Sequence, residues 1–340
     1  MQIDPNIAYN PRLLRRAAAG LDAVYFHWVD TLWRAQGSRL PWRTRAIPNL
    51  LQLGELRREL VRLRRNGTAI LWTIHNLEPH ERDTFVDQLG RRTLARMADL
   101  RVCHSQATRA QVLSRYGGSP ERTVLMYLGN YADTLSGADD PVAAGGACRP
   151  AGKRTLLCFG NIRGYKGVDL ALDAARILGD DYHLVVAGRP ISEELERDLR
   201  DRASGLPNVR LDLRFLGDSE ISPLMSAADC VLLPYRAITG SAALLAALTH
   251  GCGVVTSDLP YFREILEMEP DAGVMHEPGS ADALARAISE FFSRSPSARG
   301  EAARRLSERF SWSHVIVPVA ERIREIVSQR SGHRDREISA

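Results

Sequence analysis

The sequence predicts an α/β protein built as two tandem, Rossmann-like, doubly wound domains, and three observations carry that reading. Short apolar runs alternate with helical stretches twice, once on each side of a Gly/Ala/Pro-rich segment. The length of 340 residues, with 44% hydrophobic and 25% charged, suits about two globular domains. The net charge of +4 is unevenly shared: residues 1–125 hold 20 arginines against 11 acidic residues, which leaves 25 basic and 30 acidic residues for the remainder. A basic half and an acidic half point to domains with different partners.

In the first half, AVYFHW (23–28), AILWTI (69–74), LRVCHS (100–105) and TVLM (123–126) read as buried strands, short, β-branched or aromatic, and bounded by turns. Between the first two, Leu53, Leu56, Leu60 and Leu63 recur at helical spacing among Arg57, Arg58, Arg62, Arg64 and Arg65, and Asn66-Gly67 ends the run. Residues 134–153 have no apolar period and read as a linker. Beyond it TLLCF (155–159), HLVVAG (183–188), DCVLLP (229–234) and GVVTS (253–257) repeat the strand pattern, with helices near 168–178, 191–203, 241–250 and 280–292. Val315, Val319, Ile323 and Ile326 mark one face of a terminal helix. The expected domains are 1–135 and 154–310, with a linker at 136–153, a terminal helix at 311–330 and a tail at 331–340.

No stretch approaches the ~18 apolar residues of a spanning helix, and the N-terminus lacks the apolar core of a signal peptide, so a cytoplasmic location is expected. Five cysteines form no C-x-x-C pair, and four sit in apolar runs. They are read as buried free thiols in a reducing compartment, with no metal site.

Two segments carry anion chemistry. In TLLCFGNIRGYKGVDLALDAARIL (155–178) a strand runs into Gly160, a loop with Arg163, Lys166 and Gly167, and then an amphipathic helix. Backbone N–H groups, a helix start and two cations at one point suit a phosphate. Only Lys153 and Lys166 are lysine in the whole chain, so a lysine inside this loop is notable. The segment is neither G-x-G-x-x-G nor G-x-x-x-x-G-K-[ST], which disfavours a dinucleotide fingerprint and a P-loop. In DCVLLPYRAITGSAALLAALTHGCGVV (229–255) a strand ends at Pro234, and Thr239-Gly240-Ser241 opens a helix, with Ser241 or Thr239 as cap and phosphate donor.

In the first half, AILWTIHNLEPHERDTF (69–85) ends a strand in His75-Asn76 and adds Glu78, His80 and Glu81, where open α/β sheets place ligands. Each could serve as a general base, a hydroxyl clamp or a leaving-group contact. FHWVDTLWRAQGSRLPWRTRAIPNLL (26–51) interleaves Trp28, Trp33 and Trp42 with Arg34, Arg39, Arg43 and Arg45. That pattern suits an anionic membrane interface or single-stranded nucleic acid, or else tryptophans folded onto the core.

The F-G-x-I-R-x-Y-K-G loop and the W-T-x-H-N-L-x-P-H-E string resemble glycosyltransferases of the GT-B fold, of the large family 4 kind. The resemblance implies two domains facing a cleft and a C-terminal helix crossing back to the first. It places Gly160, Arg163, Lys166, Gly167, Thr239, Gly240 and Ser241 on the donor diphosphate, His75 with Glu78 or Glu81 in catalysis, and His27, Asn76 and His80 on the acceptor. The family's Glu-x7-Glu motif would fall on Ile238 and Ala246, so both acids are absent. This departure resembles bacterial exopolysaccharide enzymes of the β-mannosyltransferase type, and it also admits a catalytically silent relative. The implied reaction moves a hexose from GDP-mannose or a UDP- or dTDP-hexose to a saccharide or polyprenyl-linked acceptor, with peripheral contact to an anionic membrane at its inner face. The nucleotide sugar is then a co-substrate; no metal, other cofactor or nucleic acid is expected. A nicotinamide oxidoreductase lacks its glycine fingerprint.

Overall fold

The computed structural model describes Leu14 and residues 20–34, 46–77, 83–135 and 150–338, with the backbone alone at 134–135, 218 and 331–338. The chain divides into two compact units, Met1–Tyr127 with Ile316–Ala340, and Leu128–Val315.

Unit 1 is a parallel sheet in the order β1-β2-β3-β4 (β1 Ala23–Phe26, β2 Ala69–Ile74, β3 Leu100–Cys103, β4 Thr123–Leu125). Helices α1 (Ala46–Arg65), α2 (Phe85–Met97) and α3 (Gln106–Tyr116) make the crossovers. All six residues of β2 are buried, because both faces of this sheet are covered. On one face Ile70, Trp72 and Ile74 pack with Leu53, Leu56, Leu60 and Leu63 of α1 and Leu94 of α2. Ala69 and Leu71 point to the other face, into a cluster with Leu100, Val102, Met126, Val319 and Ile326. The last two belong to the long terminal helix Val317–Ile338, so the apolar stripe read near the C-terminus completes the first unit. Arg330 of that helix pairs with Asp99 at 2.5 Å and reaches the Thr68 carbonyl at 3.3 Å.

Unit 2 opens with a short helix, α4 (Ala132–Leu135), and contains a six-stranded parallel sheet in the order β10-β9-β8-β5-β6-β7. Its strands are β5 Arg154–Phe159, β6 Tyr182–Ala187, β7 Val209–Asp212, β8 Cys230–Leu233, β9 Val254–Ser257 and β10 Gly273–His276. Helices α5 (Val168–Leu178), α6 (Glu193–Ala203), α7 (Asp218–Ala227), α8 (Ala242–Thr249), α9 (Pro260–Leu266) and α10 (Ala281–Phe291) link or follow them; α11 (Pro296–Glu308) and α12 (Trp312–Val315) come last, before the terminal helix α13 (Val317–Ile338) of unit 1. The central strands match the apolar runs of the sequence. Both edge strands went unread there, since β7 is half-buried throughout and β10 begins with glycine and exposes Met275. Helices α7, α9 and α11 were also unforeseen, and α7 hides behind an internal Pro223.

The units divide at 127/128 and 315/316, whereas the sequence placed limits at 135 and 311. Residues 128–131 are held by unit 2: Asn130 donates from its N–H to the Phe310 carbonyl (2.7 Å) and from its side chain to the Ser307 carbonyl (3.0 Å). The Trp312 indole packs so closely on Gly129 that a Cβ there would lie 2.2 Å from the ring. Positions 136–149 of the expected linker lie outside the described residues. Cys103, Cys158, Cys230 and Cys252 are free and buried.

Candidate functional site

In unit 2 the chain builds β5, β6 and β7 in one direction and then returns to lay β8, β9 and β10 on the other side of β5. The ends of β5 and β8 therefore flank the point where strand order reverses, which is where open α/β sheets bind ligands. Both anion loops read from the sequence lie there. Gly160–Gly167 follows β5, and Thr239–Ser241 follows β8.

The first loop is fixed by backbone contacts that demand glycine. Gly167 has φ +66°, and a Cβ on it would sit 2.0 Å from the Pro234 carbonyl oxygen. Gly188, after β6, has φ +148°, and its Cβ would collide with the Gly160 carbonyl at 2.1 Å. Arg236 clamps the loop from the other side. Its guanidinium forms a two-pronged pair with Asp169 at 2.6 and 2.9 Å and donates to the Gly164 carbonyl at 2.9 Å, while its backbone N–H donates to the Tyr165 carbonyl at 2.7 Å. Asp169 in the first turn of α5 is held below the usual carboxylate range: burial opposes this, and the Arg236 hydrogen bonds and charge prevail. Sequence reading missed Arg236, because its partners lie about seventy residues away and no local pattern announces them.

Lys166 has no ion pair with any described carboxylate. Its ammonium lies 5.7 Å from the Tyr235 ring centre, at a small cavity lined by Cys158, Gly160, Ile162, Leu232 and Tyr235. Burial pushes its pKa down to about 8; the Cys158 thiol opposes this and the Arg163 guanidinium adds to it. A desolvated cation with no counter-ion is costly to hold, and an anion drawn into the site would remove that cost.

Ser241 is buried and caps α8, its hydroxyl accepting the Leu244 N–H at 3.1 Å. The same side chain shares a hydrogen bond with Tyr235, and the Ser241 N–H donates to the Tyr261 hydroxyl. Ser241 thus shapes the helix start. Thr239 and Gly240, half-buried just before it, are the more accessible positions of the motif. Ile238 and Ala246, where the resemblance would put glutamates, are half-buried apolar residues.

In unit 1 three imidazoles gather at the C-terminal ends of β1, β2 and β3. His27 Nδ1 and His75 Nε2 share a hydrogen bond at 3.0 Å. The His75 ring centre lies 5.2 Å from those of both His27 and His104. His104 Nδ1 bonds the Met126 carbonyl at 2.8 Å, and its Nε2 is buried without a partner. Burial first, and then the neighbouring His104 and His27, push the His75 pKa down to about 3; His27 and His104 are lowered as well, chiefly by burial. The cluster is therefore neutral at pH 7. His104 was missed in the sequence, although Phe-His, Ile-His and Cys-His each stand at a strand end. Among the described residues no group of His, Cys, Asp or Glu could hold a metal ion. Asn76 is half-buried beside His75; Glu78, His80 and Glu81 lie outside the described residues.

The aromatic and arginine stretch divides. Trp33 is fully buried, and its N–H donates to Asp87 at 2.9 Å; Arg34 pairs with the same oxygen at 2.9 Å. The other Asp87 oxygen accepts the Thr84 N–H and hydroxyl at 2.9 and 2.6 Å, closing a capping box at the start of α2. Trp33 is thus structural and offers no free surface, and Arg34 braces the same carboxylate with its side chain 41% exposed. Trp28 is 66% exposed instead. Trp42, Arg39, Arg43 and Arg45 lie outside the described residues.

Residues 153–294 match the family model described as "Glycosyl transferases group 1". The GDP-mannose:glycolipid 4-beta-D-mannosyltransferase of Xanthomonas campestris pv. campestris is 26% identical over 254 residues, 71% of this chain and 64% of that protein. The phosphatidyl-myo-inositol mannosyltransferase of Mycolicibacterium smegmatis is 30% identical over 211 residues, 58% of this chain and 51% of that one. The chain spans less than two thirds of the length of these curated relatives. Anabaena HepE, solved in complex with UDP and glucose, superposes with a TM-score of 0.71 over 93% of this chain and 81% of that chain, at 18% identity. That likeness shows the GT-B fold.

Proposed function

We propose that this chain, a GT-B protein of the family 4 kind, is a glycosyltransferase that moves a hexose from a nucleoside diphosphate sugar to a hydroxyl acceptor. The observation that carries the reading is Lys166, a desolvated cation with no carboxylate partner among the described residues, at the strand-order reversal beside Arg163 and two helix starts. In the reaction an acceptor oxygen bonds to the anomeric carbon, the bond from that carbon to the diphosphate oxygen breaks, and the diphosphate leaves with the electron pair. Lys166, Arg163 and the N–H groups before α8 stabilise that developing charge, so the transfer needs no divalent metal.

The acceptor proton needs a base in an inverting reaction, and Glu78 or Glu81 is assigned that role. His75 is a poor base with its pKa at about 3, and it positions a sugar hydroxyl by hydrogen bonding with His27 and Asn76 alongside. GDP-mannose, UDP-hexose and dTDP-hexose are the donors to try, and a lipid-linked or polysaccharide-precursor saccharide is the acceptor; the Xanthomonas relative is described as acting on a glycolipid. Exposed Ile47, Leu50 and Leu51 on α1 and Phe85 and Leu89 on α2, in the arginine-rich half, support peripheral contact with an anionic membrane at its cytoplasmic face. Among the described residues no helix is long and apolar enough to cross a membrane.

Thermal shift with GDP, UDP and dTDP tests the donor site. One of them is expected to stabilise the protein without added metal, and Lys166→Ala and Arg163→Ala are each expected to weaken that effect. Stabilisation by none of them sinks the proposal. Donor binding with neither transfer nor hydrolysis would favour the silent-relative reading, which the residues Ile238 and Ala246 motivate.

A further inference from the structure

The backbone at Trp28 is in the left-handed region, φ 50° and ψ 52°, and among the described residues it is the one non-glycine with positive φ. A bulky aromatic is strained there, and a chain that merely had to turn would use glycine or asparagine. Burial does not account for the choice, since two thirds of the side chain is exposed. The residues that follow, Val29, Leu32 and Trp33, are the ones that enter the core.

What the conformation does achieve is the placement of the indole. The ring lies flat on the His75 imidazole, centroids 4.2 Å apart and planes within 5°. Thr31 holds the turn by donating its hydroxyl to the Trp28 carbonyl at 3.3 Å. One face of the indole is thus backed by His75, and Trp28 is 66% exposed. His75 in turn shares a hydrogen bond with His27 at the end of β1, and Asn76 follows it at the end of β2. The imidazole beneath is uncharged at pH 7, so the ring is not held there by a cation.

A flat, rigid aromatic face with neutral hydrogen-bonding groups along one side matches the chemistry of a pyranose, whose axial C–H groups make an apolar face and whose hydroxyls ring the edge. We propose that Trp28 is the stacking platform for a pyranose ring of the acceptor, with His27 and Asn76 at its polar edge. A lipid-anchoring tryptophan would instead be expected among exposed apolar side chains, and those of this unit stand on α1 and α2, apart from Leu21 before β1 and Ile316 and Val317 at the start of the terminal helix. The inference rests on the reading of unit 1 as the saccharide-accepting half, and its test is independent of the nucleotide site.

The protein labelled with 5-fluorotryptophan is titrated with methyl mannopyranoside, methyl glucopyranoside and cellobiose and followed by fluorine NMR, Trp28→Phe assigning the resonance. The Trp28 signal is expected to shift saturably with at least one of these probes. Saturation transfer should mark the sugar's apolar face. Trp28→Ala should weaken binding about tenfold, and Trp28→Phe should retain most of it. Trp28→Gly should lose binding as Ala does without lowering Tm, because glycine accepts the left-handed backbone; this separates loss of the platform from loss of the fold. The proposal is overturned if no saccharide moves the Trp28 resonance, and also if that resonance responds only to vesicles containing phosphatidylglycerol. Stabilisation by a nucleoside diphosphate alongside a silent Trp28 would defeat this inference alone. Failure of both ligands would defeat the functional reading beneath it.

Discussion

The two sheets place opposite chemistry at the same structural position. At the C-terminal ends of its strands, unit 1 carries three neutral imidazoles and an exposed indole, although residues 1–125 hold nearly twice as many bases as acids. Unit 2 carries a desolvated lysine, an arginine and two helix starts, although the chain beyond residue 125 has a surplus of acids. Net charge therefore describes the surface of each half, while the chemistry at the strand ends is set by a few local groups. A neutral hydroxyl-rich ligand suits the first site and an anion the second.

The largest effect is expected where unit 1 is braced. Asp87→Ala strips the Trp33 N–H, Arg34 and Thr84 of their shared acceptor and should cost about 3 kcal/mol, read by chemical denaturation. The Asp87 pKa is lowered overall: burial raises it, and hydrogen bonds from Arg34, Thr84 and Trp33 more than offset that. Its stabilisation is accordingly present above pH ~4 and lost as pH falls below it, and the variant should show a flatter acid limb.

Unit 2 should answer to ligand and not to fold. Lys166→Met is expected to weaken nucleoside diphosphate binding by about 30-fold with little change in Tm, measured by calorimetry. A bound diphosphate raises the Lys166 pKa from about 8, so binding above that pH takes up a proton and affinity in the parent protein should fall as pH rises through 8. A pH-independent affinity would remove Lys166 from the contact.

Arg236→Ala should weaken the same binding by about fivefold, because the guanidinium holds the loop without reaching the ligand. Equal losses in Arg236→Ala and Lys166→Met would erase that distinction. The effect that is absent at neutral pH and emerges only in acid concerns the imidazoles. With the His75 pKa lowered from 6.5 to about 3, the unfolded chain binds the extra proton, so stability is full above pH ~6.5 and erodes as pH falls toward 3. His75→Asn should make Tm less sensitive to pH across that window.

Local patterns made much of this legible. The buried central strands follow from short continuous apolar runs, the α1 stripe from a 3.6-residue period, and the Gly-loop-Lys-helix segment from the few residues that can turn a strand into a helix. His27 and His75 were each visible at a strand end, but their hydrogen bond across 48 residues was not. Trp28 and Trp33 look alike in the sequence, aromatics among arginines, and the fold leaves one exposed and buries the other on Asp87.

The sequence by itself determined two α/β units, their central buried strands and the glycine- and lysine-bearing turn from β5 into α5, because short-range spacing is enough for each. Tertiary structure decided that β5 and β8 are neighbours, that Arg236 closes on Asp169, that three histidines meet, and that the last helix completes the first sheet. Those facts depend on strand order and on pairings between residues far apart in the chain, which no periodicity records.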